Sequence, residues 1–211
     1  MLQPSSDYTT ARERLRQAEI ALKDQREQVA ALRRGLPQGP ALPAYTLQDE
    51  NGPVTLSNLF RSGCTNLAVI HFMYRDEDRA PCPMCSMWAD GYNAVVTHIE
   101  QHMPVVLVSK ATPAKLQAHA DSCGWNGLRL LSSAGTSFNR DFGMETEDGS
   151  QVPGFSVLQR DAGGTVRQFY TGCAMMGGGH YRGLDMLSPV WNILDLTPEG
   201  RGEWFPGLRY D

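Results

Sequence analysis

Two cysteines three residues apart, Cys82 and Cys85 in Pro81-Cys82-Pro83-Met84-Cys85-Ser86-Met87-Trp88, offer two kinds of chemistry. A C-x-x-C pair can close and reopen a disulfide, or it can supply half the ligands of a tetrahedral zinc ion. Upstream lies Asn66-Leu67-Ala68-Val69-Ile70-His71-Phe72-Met73, a β-branched and aromatic run of strand length. Downstream, the chain from Asp90 to His102 has no Pro, and no Gly after Gly91. The pair therefore stands at a strand-to-helix junction, with helix expected from about Cys85 to His102. A helix N-terminus carries roughly half a positive charge and several unpaired N–H groups, which favour thiolate over thiol in the first cysteine of the pair. This makes Cys82 the expected nucleophile and Cys85 the resolving thiol. Pro83 suits the first turn, where a proline costs the helix no hydrogen bond.

Zinc has a specific claim, because Cys82-x2-Cys85-x12-His98-x3-His102 matches the spacing of a two-cysteine, two-histidine finger. Context opposes it. A finger has a hairpin beneath its cysteines, whereas here a buried-type strand precedes them. If a helix separates thiols from imidazoles, the two pairs are roughly 20 Å apart at 1.5 Å per residue. Neither a metal nor another cofactor is expected. Cys64 and Cys123 show no partner spacing, and Cys173 reads as a free thiol after a strand. The nearby Gly177-Gly178-Gly179 has no Lys-Ser/Thr after it and is no phosphate loop.

The elements that must position the pair are legible in outline. The Pro- and Gly-free segment Tyr8 to Arg34 reads as a long helix, with Thr10 and Glu13 spaced as a capping box and Gly35 and Pro37 as its stop. Ala11, Leu15, Ala18, Leu22, Val29 and Leu32 form a heptad stripe along it. The stripe serves either to dock the helix on its own domain or to pair it with a second copy as a homodimer. After the linker Gln38-Gly39-Pro40, a hairpin is expected around Asn51-Gly52, then a short helix at Ser57-Phe60, then the strand Asn66-Tyr74. Val105-Val106-Leu107-Val108-Ser109 reads as a strand buried on both faces, completing a parallel βαβ unit with the helix between. A helix from Thr112-Pro113 to Cys123, a strand at Leu128-Leu131 and a helical turn at Ser137-Phe142 follow. A second hairpin joins Gly154-Gln159 to Thr165-Thr171, and a final helix lies near Pro189 between Leu184 and Leu196. Strand, C-x-x-C, helix, strand, then a proline and a hairpin resemble the element order of the thioredoxin fold.

The chain has 211 residues, 41% of them hydrophobic, and a net charge of -4. It can bury a substantial core, and its charge balance points away from nucleic acid and membrane surfaces toward small-molecule or protein substrates. No apolar run of about 18 residues and no leader pattern is present, so a cytoplasmic protein is expected, in which C-x-x-C means redox chemistry or metal.

Beyond the element order, the residues resemble a family of bacterial thioredoxin-like proteins of formerly unknown function, labelled predicted dithiol-disulfide oxidoreductases. The likeness covers most of the chain and rests on these segments. They are Leu36-Pro37 after the arginine-rich helix, His71-Phe72-Met73, Cys82-Pro83-x-Cys85-Ser86-x-x-x-Asp90, Val108-Ser109-Lys110-Ala111, Gly124-Trp125, Ser132-Ser133, Phe138-Asn139-x-Asp141-Phe142-Gly143, and Leu194-Asp195-Leu196-Thr197-Pro198-x-Gly200-Arg201. It implies an α/β thioredoxin-like three-layer fold, a central mixed sheet with helices on both faces, over residues 40–211. A helical arm and linker would occupy residues 1–39. It also implies a Cys82–Cys85 dithiol acting on a disulfide-containing protein or a small-molecule thiol substrate. In that fold the proline of Val152-Pro153 would be cis and lie against the dithiol, offering backbone to an extended substrate, the alternative being an ordinary trans proline that starts a strand.

Val152 and Pro153 are thus candidate substrate contacts, and Trp88, one turn after Cys85, reads first as packing beneath the thiols and second as a further substrate contact. Asp90 reads as a solvated or capping carboxylate, His71 as a satisfied core histidine, and the loop Arg75 to Arg79 as exposed unless an arginine there supports the Cys82 thiolate. The rival class is a non-enzymatic redox-sensing or interaction protein with a structural dithiol, with structural zinc and thiol peroxidase as lesser alternatives. A peroxidase, by resemblance to that class, would carry threonine where Arg79 stands.

Overall fold

The computed structural model describes residues 4–175 and 182–210, so the triple glycine lies outside the described residues. The chain divides into two compact units, Met1–Gln38 and Gly39–Asp211. The first is one helix, α1, Ser6–Arg34. It begins earlier than the Thr10 capping box predicts, because the Ser5 hydroxyl accepts from the Tyr8 N–H at 3.2 Å and caps it. Glu13, freed from capping, accepts from Gln17 and Arg16 instead. The stop is where Gly35 predicts, the glycine N–H closing on the Ala31 carbonyl. No residue of α1 is buried, and Leu15, Leu22 and Leu32 of its apolar stripe are exposed.

The second unit is built on a seven-stranded mixed sheet. Its strands are β1 (Thr46–Asp49), β2 (Gly52–Thr55), β3 (Asn66–Arg75), β4 (Val105–Lys110), β5 (Arg129–Ser132), β6 (Gly154–Arg160) and β7 (Val166–Cys173). They lie in the order β2-β1-β5-β4-β3-β6-β7, with β3, β4 and β5 mutually parallel and the outer strands antiparallel to their neighbours. The helices are α2 (Pro83–Ile99), α3 (Pro113–Cys123), α4 (Phe138–Asp141) and α5 (Pro189–Leu194). A 3-10 turn, Leu56–Leu59, stands where a short helix is expected.

Period-two alternation sorts the central strands between two cores. Ala68, Ile70 and Phe72 of β3 and Val105 and Leu107 of β4 pack with α2, α3 and Trp191 of α5. Leu67 and Val69, with Val106 and Val108, pack with Phe138 of α4 and the 3-10 turn on the other face. Burial on both faces is why these strands read as unbroken apolar runs. The three-layer architecture, helices on both faces of a mixed sheet, is therefore present as expected. Among the described residues, no helix is long and apolar enough to cross a membrane.

One expected feature is absent. No cis peptide bond occurs among the described residues, so Val152-Pro153 is trans. The path here is extended rather than cornered: the Val152 N–H donates to the Met144 carbonyl at 3.0 Å, Gln151 bridges Glu145, and the Pro153 carbonyl accepts from Ala174. The proline thus enters β6 along a ladder that already runs straight. Gly154 follows because a Cβ there would come within 2.9 Å of the Gly172 carbonyl oxygen and closer still to Met144.

Candidate active site

The thiols are delivered by the turn that leaves β3. Arg75 closes that turn, its guanidinium and backbone N–H both donating to the Asp78 carboxylate, and this bond holds the Asp78 carboxyl below its usual range. Lys115 of α3 fastens it from outside. Its ammonium donates to the carbonyls of Arg75, Asp76 and Asp78 at 2.9, 2.7 and 2.7 Å and rides over the Tyr74 ring at 4.5 Å. The charged loop is therefore a built turn, and Arg75 is engaged with Asp78 rather than with sulfur. Lys115→Ala, which leaves three carbonyls without their donor, should cost about 2 kcal/mol in urea unfolding. Hydrogen exchange should rise in residues 75–82 before it rises in β4.

From this turn the Cys82 N–H donates back to the Met73 carbonyl at 3.2 Å, and Cys82 becomes the N-cap of α2 with Pro83 in the first turn. The helix thus starts two residues before the position read from sequence, and the Cys82 sulfur itself caps it. The Cys82 sulfur accepts from the Cys85 N–H at 3.4 Å. Its pKa is held down to about 7, first by the hydrogen bond from the Cys85 thiol, then by the N–H groups of Cys85 and Met84, against the opposing effect of burial. The Cys85 thiol is pushed up, first because it donates to Cys82 and then because it is buried. The two shifts describe one shared proton that resides on Cys85. No arginine enters either cause.

Cys82 is half-buried and opens on a cavity of about 500 Å³. Val152 and Pro153 line the same cavity, so the structure brings that segment to Cys82, although with a trans bond. Trp88 does not reach it. At 4% exposure it packs edge-on against Trp191, ring centroids 6.1 Å apart, and belongs to the layer beneath α2 rather than to a substrate surface. Tyr92, two turns beyond Cys85, is likewise buried, and its hydroxyl has no partner among the described residues. Burial, and then negative charge on Cys85, push its phenol up.

The remaining candidates are held by other contacts. Asp90 accepts from the Trp125 indole N–H at 2.7 Å and so ties α2 to the end of α3. His71 is buried on the opposite face, its Nε2 2.8 Å from the Ser156 hydroxyl, and burial pushes it down to about 3, leaving it neutral. Cys173 ends β7, with its sulfur accepting from the Met175 N–H at 3.2 Å. His98 lies in the last turn of α2, at the far end of the helix from the cysteines.

Sequence reasoning passed over His119. It stands on α3, 3.3 Å from the Ser86 hydroxyl, which itself donates to the Cys82 carbonyl at 3.2 Å, and its ring packs against Phe72, Tyr74 and Trp125. Thirty-three residues separate it from Ser86 in sequence, and no local motif joins them.

Over residues 2–210 the chain matches the model of DUF899, a bacterial protein family of unknown function. The chain belongs to the DUF899 family. No curated protein matches this DUF899 protein. Among solved structures it is similar to the peroxidoxin BcpB from Mycobacterium tuberculosis, with a TM-score of 0.53 at 16% identity, over 72% of this chain and 94% of that one. It is similar also to a mutant of PrxQ from Xylella fastidiosa, with a TM-score of 0.50 at 16% identity, over 74% and 95% of the two chains. At such identity the likeness is one of fold. It agrees with the three-layer α/β fold that the element order around Cys82 implies.

Proposed function

We propose that the protein is a thiol-disulfide oxidoreductase in which Cys82 attacks and Cys85 resolves. One observation carries this reading: Cys82 caps α2 beneath an open cavity with its thiolate favoured, while Cys85, buried behind it, keeps the proton. In the first step the Cys82 thiolate attacks one sulfur of a substrate disulfide, the substrate S–S bond breaks, and one arm leaves as a thiolate that takes a proton from water. In the second, Cys85 gives up its proton to solvent or to the departing arm and its sulfur attacks the Cys82 sulfur. The second arm leaves as a thiol and the Cys82–Cys85 bond closes. One disulfide is reduced and two cysteine thiols are oxidised. A dithiol reductant returns the pair to its starting state by the reverse exchange.

The test is turnover of a disulfide substrate with dithiothreitol as reductant, in the wild type and in single-cysteine variants. A structural dithiol, the rival reading, predicts the same slow background in all of them. The fold likeness to a peroxidoxin favours a second reading, in which the Cys82 thiolate attacks a peroxide oxygen. Arg79, three residues before Cys82, stands where that class would carry threonine. Peroxide consumption exceeding disulfide turnover would select it.

A further inference from the structure

We infer that the disulfide reduced at Cys82 is a small, uncharged molecule with an apolar arm, seated among Met73, Met84, Met175 and Phe205. This rests on the oxidoreductase reading and adds the chemistry of the substrate. The cavity, about 500 Å³, has the size of a small-ligand site, and no ionisable side chain other than Cys82 itself lines it among the described residues. Arg75 and Asp78, in the turn after Met73, bind each other, and Lys115, which fastens that turn, is held on three backbone carbonyls. Gln151, the one amide of the lining, points its Nε2 at Asp78 at 3.3 Å and keeps its Oε1 enclosed. A carboxylate on the substrate would lose water here and gain no counter-charge from the described residues, and an ammonium would meet only the Cys82 thiolate that the attack consumes.

What the walls do offer is polarisable and adaptable. Thioethers from β3, from α2 and from the chain after β7 converge on the nucleophile, and methionine moulds itself to alkyl and aromatic groups alike. Met84 is buried, whereas Met175 is 45% and Phe205 55% exposed, so an apolar rim stands open to the solvent from which the substrate arrives. Phe205 and Pro206 come from the segment after α5, which supplies one wall of the site.

The experiment uses the full-length Cys85→Ser protein, in which attack stops at the mixed disulfide. Rates of adduct formation at Cys82 are followed by peptide mass spectrometry with three probes: uncharged dithiodipyridine, dianionic dithiobis(nitrobenzoate) and dicationic cystamine. Each rate is divided by that of the same probe with free dithiothreitol at the same pH, which removes the leaving-group chemistry. The normalised rate for dithiodipyridine should exceed both others by about tenfold or more, the effect of one ordinary unpaired-charge penalty. Because the net charge of -4 favours cations at long range, a low cystamine rate separates cavity chemistry from general attraction. Met175→Lys, at an exposed rim position, should raise the normalised dithiobis(nitrobenzoate) rate several-fold. Equal normalised rates, or a charged probe in front, overturn the substrate assignment while leaving the oxidoreductase reading intact. Failure of every probe to form an adduct at Cys82 sinks both.

Discussion

Cys82→Ser will reduce disulfide turnover by about three orders of magnitude or more, and Cys85→Ser will convert a single attack into a stable mixed disulfide on Cys82. The first magnitude is the scale on which removing a covalent nucleophile acts in other enzymes. The asymmetry follows from position. Cys82 is the N-cap, half-buried, with its sulfur on the cavity, whereas Cys85 is buried behind it and reaches no substrate until the first exchange has brought a disulfide to Cys82. In Cys85→Ser the hydroxyl can still donate to the Cys82 sulfur, so attack persists while resolution is lost. The adduct is read by intact mass and released by dithiothreitol. Substituting Cys64, Cys123 or Cys173 should leave turnover near wild type, since none of them lines the cavity. Full turnover in Cys82→Ser would end the oxidoreductase reading, and dependence on Cys173 would require a three-thiol cycle.

Alkylation of Cys82 should follow a single titration with its midpoint at about pH 7, while the reference thiol in an unfolded peptide titrates near 8.5. At pH 6 those values leave roughly thirty times more thiolate on Cys82 than on the reference. Iodoacetamide rates across pH 5 to 9, resolved by peptide mapping, measure it, and a midpoint at or above 8.5 would remove the N-cap account. The same shift is a stability statement. The folded pKa lies below the unfolded one, so the thiolate's contribution is fully present above the unfolded value and is lost as pH falls through about 7. Cys85 works against it at higher pH, because its hydrogen bond to Cys82 and then burial raise its pKa, and the unfolded chain ionises it first. Reduced protein should therefore gain stability between about pH 7 and 8.5 and lose part of it above, and Cys82→Ser should flatten the rise.

Much of the fold is legible in the sequence, and what is not has physical causes. β3 and β4 announced themselves because both faces are buried, which removes polar residues from the pattern and leaves a run too short for anything but a strand. The C-x-x-C pair was legible because its spacing and its junction are local. The start of α1 was misread because two good caps compete within five residues, and Ser5 lies farther out than Thr10. The trans Val152-Pro153 bond was not legible, since it depends on a ladder to residues 144 and 145 that no local pattern predicts. The cavity is the clearest case: Met73, Met84, Met175 and Phe205 are distant in sequence and unremarkable singly, and their common address exists only once the sheet has formed.

Trp88 gives the molecule an optical property. Lying three residues after Cys85 on α2, it shares the helix face on which side chains neighbour one another, and it is sealed from water against Trp191. Disulfides quench excited indoles by accepting an electron, whereas thiols do so weakly, and a buried indole emits toward the blue. Closing Cys82–Cys85 should therefore dim a blue-shifted tryptophan band that reduction restores, while Trp204, 40% exposed near the end of the chain, contributes a redder emission. Trp88→Phe would delete the responsive component. On the oxidoreductase reading, the state of the pair would then be readable in a cuvette without label or coupled enzyme.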